Sequence, residues 1–458
     1  MPVPKIDQLL GITVYATGKA GIGGVIRESV DDFVVEEVLV DGSIATIEKA
    51  GTPKVLGASS TKQHYLLCTL VKRNWDTFIA LRNIAKQLDI SQKQIQIAGI
   101  KDAKAVTAQH ITIEKCSMED ASKVRIKDIT IHSLGYFRDK LSPYYLLGNN
   151  FTIKIKSIKF SASTVKKRIA EIAKAIATVG GILNFFGHQR FGTTRPITHL
   201  VGKAIIRGDF EEAAMIFLAK PSAHEHPLSR QSREKLQSTR DFKWALQNFP
   251  KQLRFERLML RHLVEKPEDF IGAFKHLPFT LQMLFVQAYQ SYLFNRFLSD
   301  RIKNGFSSTR VEVGDYVVNV ERSGLPMFHT AKIADSENIS EVNRLVNDGR
   351  MLIMLPLIGT KQKLSQGNMG EIERRILEEE GIQKGNFKVN GMTEMSRGGG
   401  LRAVVTPVKG FKLRSVSACP LGQRVHQASL SFTLLRGSYA TVLLREMMKP
   451  NNPIKAGF

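Results

Sequence analysis

The chain of 458 residues has little cysteine: Cys68, Cys116 and Cys419 are few, odd in number and far apart. That excludes a disulfide scaffold and any Cys-x-x-Cys metal ribbon, and it predicts a reducing, cytoplasmic compartment. The 11 histidines show neither His-x-x-x-His nor His-Glu-x-x-His spacing, so no metal site is expected. Long apolar runs are missing too. The longest, residues 351–358 (MLIMLPLI), is interrupted by Pro356, whereas a membrane helix needs about 20 apolar residues. The first residues, MPVPKIDQLLGITVY, lack a basic head followed by an apolar stretch, so no secretory leader is expected. No G-x-x-x-x-G-K-[ST] occurs. Gly21, Gly23 and Gly24 do not follow a strand, and G-x-G-x-x-G fails because residue 26 is Ile. Neither a phosphate loop nor a dinucleotide fold is expected, hence no nucleotide cofactor. Acidic residues are scarce: 42 Asp and Glu stand against 66 Lys and Arg, a net charge of +24. So large an excess points to a polyanionic partner, most often nucleic acid.

What is present describes a globular protein: 43% hydrophobic and 24% charged residues exclude a disordered chain. The length exceeds one ordinary core and predicts more than one domain. Strands are predicted at residues 32–40, 64–71, 94–98 and 109–113, and at 151–156, where Phe151, Ile153 and Ile155 share a face. Residues 76–88 read as a helix capped by Asn74 or Asp76, with Phe78, Leu81, Ile84, Ala85 and Leu88 inward. A second helix opens at Ser163 or Thr164 and turns Val165, Ile169, Ile172 and Ile176 inward; its other faces are basic. Residues 205–305 read as mostly helical and basic, broken by Pro221 and Pro227. Their longest helix, 281–302, carries one broad apolar stripe through Leu284, Phe285, Ala288, Tyr292 and Phe297. Short strands near 310–320 and 350–354 and a helix at 370–380 follow, then Gly398–Gly400, which reads as a hinge or linker. Strands return at 402–408, 411–416 and 428–435, and a helix covers 439–448. The pattern predicts an α+β fold in which one discontinuous, strand-rich domain carries an insertion.

Two segments carry candidate chemistry. In AGIKDAKAVTAQ (98–109), Lys101 and Lys104 flank Asp102 beside Gly99. Neighbouring cations favour the ionised carboxylate, which can act as a nucleophile without a separate activating base; a turn or cap Asp is the alternative. In NFFGHQRFG (184–192), Phe185, Phe186 and Phe191 lie among Gly187, Gly192, Gln189 and Arg190. Such rings can stack on a base and such amides can read its edge; an aromatic plug in the core is the alternative.

Taken together these segments resemble the TruD family, tRNA pseudouridine synthase D. AGIKDAKAVTAQ is similar to the family's catalytic loop, in which the Asp of G-x-K-D is the nucleophile, and this implies Asp102. NFFGHQRFG resembles N-[YF]-F-G-x-QRFG, whose Asn and second aromatic line the uracil pocket, and this implies Asn184 and Phe186. GVIRESVDDFVVEE resembles the family's N-terminal segment, with Arg27 where a basic residue sits and Phe33 in the D-F-x-V-x-E run. LRGSYATVLLREMM (435–448) resembles the C-terminal GS[YF]AT…RE segment. The likeness is strong over roughly residues 20–200 and 400–450 and looser between them, where the family carries its own insertion.

The resemblance implies a discontinuous pseudouridine synthase catalytic domain with a mixed or antiparallel sheet (residues 1–195 and 401–458) and an inserted, mainly helical α+β domain (196–400). It implies isomerisation of uridine to pseudouridine in tRNA, with position 13 of the D-arm as target. No metal and no cofactor are implied, the enzyme is expected to be a cytoplasmic monomer, and no membrane partner is expected. Three other classes make different predictions. An RNA-binding protein without activity would bind tRNA and leave its bases unchanged. A methyl-transferring enzyme would need S-adenosylmethionine. A metal-dependent nuclease would need clustered carboxylates, which Asp102 lacks.

Overall fold

The computed structural model describes residues 2–48, 55–418 and 425–458, so Cys419 lies outside the described residues. Its strands are β1 (Phe33–Leu39), β2 (Tyr65–Arg73), β3 (Ile95–Ile97), β4 (Val106–Glu114), β5 (Ile129–Phe137), β6 (Leu146–Ile158), β7 (Ile182–Leu183), β8 (Tyr316–Asn319), β9 (Lys332–Ile333), β10 (Met351–Leu357), β11 (Gly400–Ala403), β12 (Val405–Thr406), β13 (Val408–Ala418) and β14 (His426–Leu435). The main sheet runs β13-β14-β6-β1-β4-β2-β5, with β3 on β4. Within it β1 and β4 are parallel and the other pairs antiparallel. A second sheet, β11-β10-β8-β9, is antiparallel. The short pair β7–β12 sets Leu183 opposite Val405. The fold is mixed α+β, as the sequence pattern predicts.

Strand β6 shows why the main sheet forms. Its period-2 alternation buries Phe151, Ile153 and Ile155. They pack in one core with Val165, Ile169, Ile172 and Ile176 of the helix Ala162–Thr178 and with Leu443 and Met447 of the helix Ala440–Met448. That first helix is capped by Ser161, whose hydroxyl accepts from Thr164 N at 3.3 Å, so Ser163 and Thr164 lie in its first turn rather than at its cap. The helix Thr77–Gln87 is capped by Asp76, which accepts from Ile79 N. Phe78 is not inward: it is 51% exposed, and Ala80 takes the buried position instead.

Between β7 and β8 the chain is helical. The run is interrupted at residues 220–226, between the helices Phe210–Ala219 and Pro227–Thr239, where the prolines predict a break. Pro227 itself lies on the far side of that break. It opens the helix Pro227–Thr239 at the first position, where its missing N–H is not needed. The helix Phe279–Lys303 is buried on most of its circumference, not along one stripe. Its polar residues reach distant backbone: Gln290 donates to Ile358 O, and Ser299 to Gly11 O. At Gly202 the helix Thr198–Arg207 passes so close that a Cβ would stand 2.0 Å from Phe285 O. Residues 398–400 are not a free linker either. Gly398 O accepts from Lys361 N and Gln362 N, each at 2.9 Å, and a Cβ on Gly359 would meet Gly399 N at 2.3 Å. The glycines there allow two backbone segments to cross in contact. Pro356 belongs to β10, beyond the residues that pair with β8.

Candidate active site

The loop between β3 and β4 carries Asp102, and it is fastened from inside. Lys72, at the end of β2, is buried and donates to Asp102 O (2.7 Å) and Trp75 O (2.8 Å). Burial brings the Lys72 ammonium down to about 8, partly offset by the charges of Asp102 and Asp76. Thr77 exchanges hydrogen bonds with the backbone of Lys101, and Gln109 donates to Gly99 O. The Lys101 side chain turns inward, with Nζ 2.5 Å from Glu37 Oε2. Glu37 also accepts from His110 N at 2.9 Å. Burial alone would raise the Glu37 pKa. The His110 hydrogen bond and the Lys101 charge outweigh it and hold Glu37 below the ordinary glutamate range.

With its loop held from within, Asp102 points outward and stays 29% exposed. Arg27 NH2 donates to Asp102 Oδ1 at 3.0 Å, and Gln189 Nε2 to the same oxygen at 3.2 Å. Arg27 has φ of 60°, a left-handed conformation that non-glycine residues adopt rarely, and at a cost, unless their surroundings enforce it. Those surroundings are visible: its guanidinium lies 4.1 Å from the Phe33 ring centroid, and NH1 donates to Gly457 O. Burial lowers the Arg27 pKa, and the Asp102 carboxylate opposes that shift. Asp102 opens into a cavity of about 270 Å³. Its apolar lining includes Phe33, Val35, Ile100, Leu146 and Phe151, Asn149 and Gln189 add polar groups, and residues 436–441 close another side.

Asn184 and Phe186 do not line this cavity. Asn184 lines a neighbouring one of about 370 Å³, which shares Arg436, Gly437 and Ser438 with the first. Arg402 joins the two expected residues. It donates to Asn184 Oδ1 at 2.7 Å and to Gly437 O at 2.9 Å, and its guanidinium sits 4.0 Å from the Phe186 centroid. Burial lowers Arg402 to about 10. Phe186 is 6% exposed, edge-on to Phe294 and to Tyr439, and Tyr439 does line the Asp102 cavity. The structure therefore brings Asp102 and Arg27 into direct contact and sets Asn184 and Phe186 one layer away, behind residues 437–439.

The segment 184–192 is anchored by a buried cluster. His188 Nε2 lies 2.7 Å from Asp7 Oδ1, and Arg445 Nε donates to Asp7 Oδ2 at 2.6 Å. Glu446 accepts from Ala16 N. Arg445 and Glu446 thus tie the C-terminal helix to the first residues of the chain. Sequence reasoning missed Lys72, Arg402 and the tie between Gln189 and Asp102. Gln189 stands inside a motif that had been singled out, whereas Lys72 and Arg402 have no local signal. Among the described residues, no group of three or more His, Cys, Asp or Glu side chains could hold a metal ion, and no helix is long and apolar enough to cross a membrane.

Comparison with known proteins identifies the family. The family model "TruD: tRNA pseudouridine synthase D (TruD)" matches residues 9–447. The "Probable tRNA pseudouridine synthase D" of Methanosarcina acetivorans is 39% identical over 449 residues, 98% of each chain. The protein of the same description from Archaeoglobus fulgidus is 35% identical, over 97% of this chain and 99% of its own. The crystal structure described as the "Putative tRNA pseudouridine synthase D (TruD)" from Methanosarcina mazei superposes with a TM-score of 0.83 at 37% identity, covering 99% of this chain and 100% of that one. Fold and relatives define a pseudouridine synthase, an isomerase. The chain belongs to the TruD family, tRNA pseudouridine synthase D.

Proposed function

We propose that this enzyme converts uridine to pseudouridine in tRNA, at position 13 of the D-arm, with Asp102 as the nucleophile. The observation that carries this reading is the Asp102 carboxylate, open to a cavity and held by Arg27 and Gln189 on one oxygen. In the isomerisation the N1–C1′ bond breaks, the base turns, and C5 bonds to C1′; C5 loses a proton and N1 gains one. A carboxylate at this place can add to ribose C1′ or to uracil C6, and either addition loosens the glycosidic bond. The uridine must leave its stack to reach Asp102, at a cost of a few kcal/mol. Arg27, already paired to the carboxylate, offsets part of that cost by offering its guanidinium to the nucleotide's phosphate. Asn184 and Phe186 contribute from behind: together with Arg402 they brace residues 437–439, the wall against which the base rests. The target within tRNA follows from the family likeness, and the net charge of +24 suits a polyanion.

We read the chain as a catalytic domain of residues 1–195 and 401–458 with an insertion of 196–400. In support, the main sheet draws its strands from residues 33–158 and 408–435, and three of the four strands of the second sheet lie within 316–357; its fourth, Gly400–Ala403, crosses the proposed boundary. We take the enzyme to act as a monomer, and a tRNA substrate suits the cytoplasm. The test is incubation of purified protein with a tRNA transcript in EDTA, without added cofactor, followed by nucleoside analysis and carbodiimide primer extension. Pseudouridine at position 13 is expected. Unchanged tRNA, cleaved tRNA or a product that requires S-adenosylmethionine would each reject the reading.

A further inference from the structure

We propose that Asn149 reads the uracil edge inside the Asp102 cavity, through the base's N3–H and an adjacent carbonyl oxygen. This rests on the reading that Asp102 acts on an everted uridine. Asn149 lies on β6 with Cα partners Glu37 on β1 and Leu434 on β14, two residues from Phe151 and so on the same face of the sheet. That face lines the cavity with Phe33, Val35, Phe151 and Asn149. The next residue, Asn150, points to the opposite face and has a partner, since Thr433 Oγ1 donates to its Oδ1. Asn149 Oδ1 is buried and accepts no hydrogen bond among the described residues. A buried acceptor left unpaired is costly, and native proteins rarely keep one without a use. Thr441, across the same cavity, also has a buried hydroxyl without a partner. By contrast, the oxygen of Asn184 is taken by Arg402.

The chemistry of the base matches this unpaired amide oxygen. Uracil presents a donor, N3–H, between two acceptors, O2 and O4. A primary amide presents an acceptor and a donor side by side and can pair with N3–H and one carbonyl together. Isomerisation exchanges N1 with C5, which amounts to a half-turn about the axis through C6 and N3. That turn leaves N3–H in place and exchanges O2 with O4. An amide at the N3 edge therefore makes the same two hydrogen bonds before and after the base turns. It can hold the detached base in the cavity without opposing its rotation.

The experiment compares wild type and Asn149→Ala, in single turnover, on tRNA carrying uridine or N3-methyluridine at the target. The wild type should favour uridine strongly. Asn149→Ala should convert uridine about 10–100-fold more slowly and lose most of the preference for uridine over its N3-methyl analogue. Binding of tRNA and the thermal midpoint should hold, because the amide oxygen has no hydrogen-bond partner among the described residues. Asn149→Ser, which keeps a polar side chain, serves if the alanine variant is unstable. Full uridine turnover in Asn149→Ala, or an undiminished preference for uridine, overturns the proposal. Asp102→Asn is run alongside: activity there would reject the reading of the site itself, whereas an inactive Asp102→Asn with an indifferent Asn149→Ala rejects the role of Asn149 alone.

Discussion

Replacing Lys101 by methionine removes the cation that fastens the Asp102 loop from within. Lys101 and Glu37 are 2% and 0% exposed, with Nζ and Oε2 2.5 Å apart. Methionine fills similar space but leaves the Glu37 carboxylate buried with only the His110 contacts. Breaking a buried pair from one side costs about 3–5 kcal/mol, because the remaining charge has lost its counterion. Urea unfolding followed by tryptophan fluorescence is the assay, since Trp75 packs beside the loop and its carbonyl accepts from Lys72. The pH dependence gives a second reading. In the wild type Glu37 titrates below its ordinary range, so its contribution is present above that range and is lost as pH falls through the lowered value. In Lys101→Met, burial is no longer outweighed and the Glu37 pKa rises above its unfolded value. The variant's native state then takes up a proton that its unfolded state does not, and it gains stability relative to wild type on acidification. The deficit at about pH 7 should therefore shrink at about pH 5. Adding Glu37→Gln should recover much of it. A deficit below about 1 kcal/mol, as for an exposed pair, or one unchanged between the two pH values, would refute the reasoning.

Gln189→Ala removes one of the two side-chain donors on Asp102 Oδ1; turnover should fall about tenfold, the scale of a hydrogen bond to a charged group, with tRNA affinity steady by filter binding. Phe186→Ala empties a site that is 6% exposed, so denaturation should report a loss of about 3–5 kcal/mol. Measured where the variant remains folded, its turnover should fall more than its tRNA affinity; equal losses would mark the ring as a general contact.

The sheet was legible because its strands alternate cleanly, as in FTIKIK of β6, and Asp76 announced its helix by an ordinary cap. Other features depend on partners far along the chain. Gln290, Asn295, Ser299 and Arg301 look solvent-facing in sequence, yet they are buried because Ile358 O, Leu10 O, Gly11 O and Asp315 receive them. Phe78 has helical spacing but faces solvent, while Ala80, Leu81, Ile84 and Ala85 form the face that packs into the core. At the site, the resemblance singled out Asp102 and Arg27, and the fold sets them 3.0 Å apart across 75 residues of sequence. No local pattern points to Lys72 or Arg402. Each acts by donating to backbone of another segment, which sequence spacing does not encode.

The central claim is that the Asp102 carboxylate performs the isomerisation. It is tested most directly by Asp102→Asn, which keeps the size and the loop contacts and removes the charge. Nucleoside analysis of tRNA incubated with excess variant should find no pseudouridine, while gel-shift affinity for the same tRNA stays near that of wild type. Pseudouridine formed at the wild-type rate by Asp102→Asn would contradict the account.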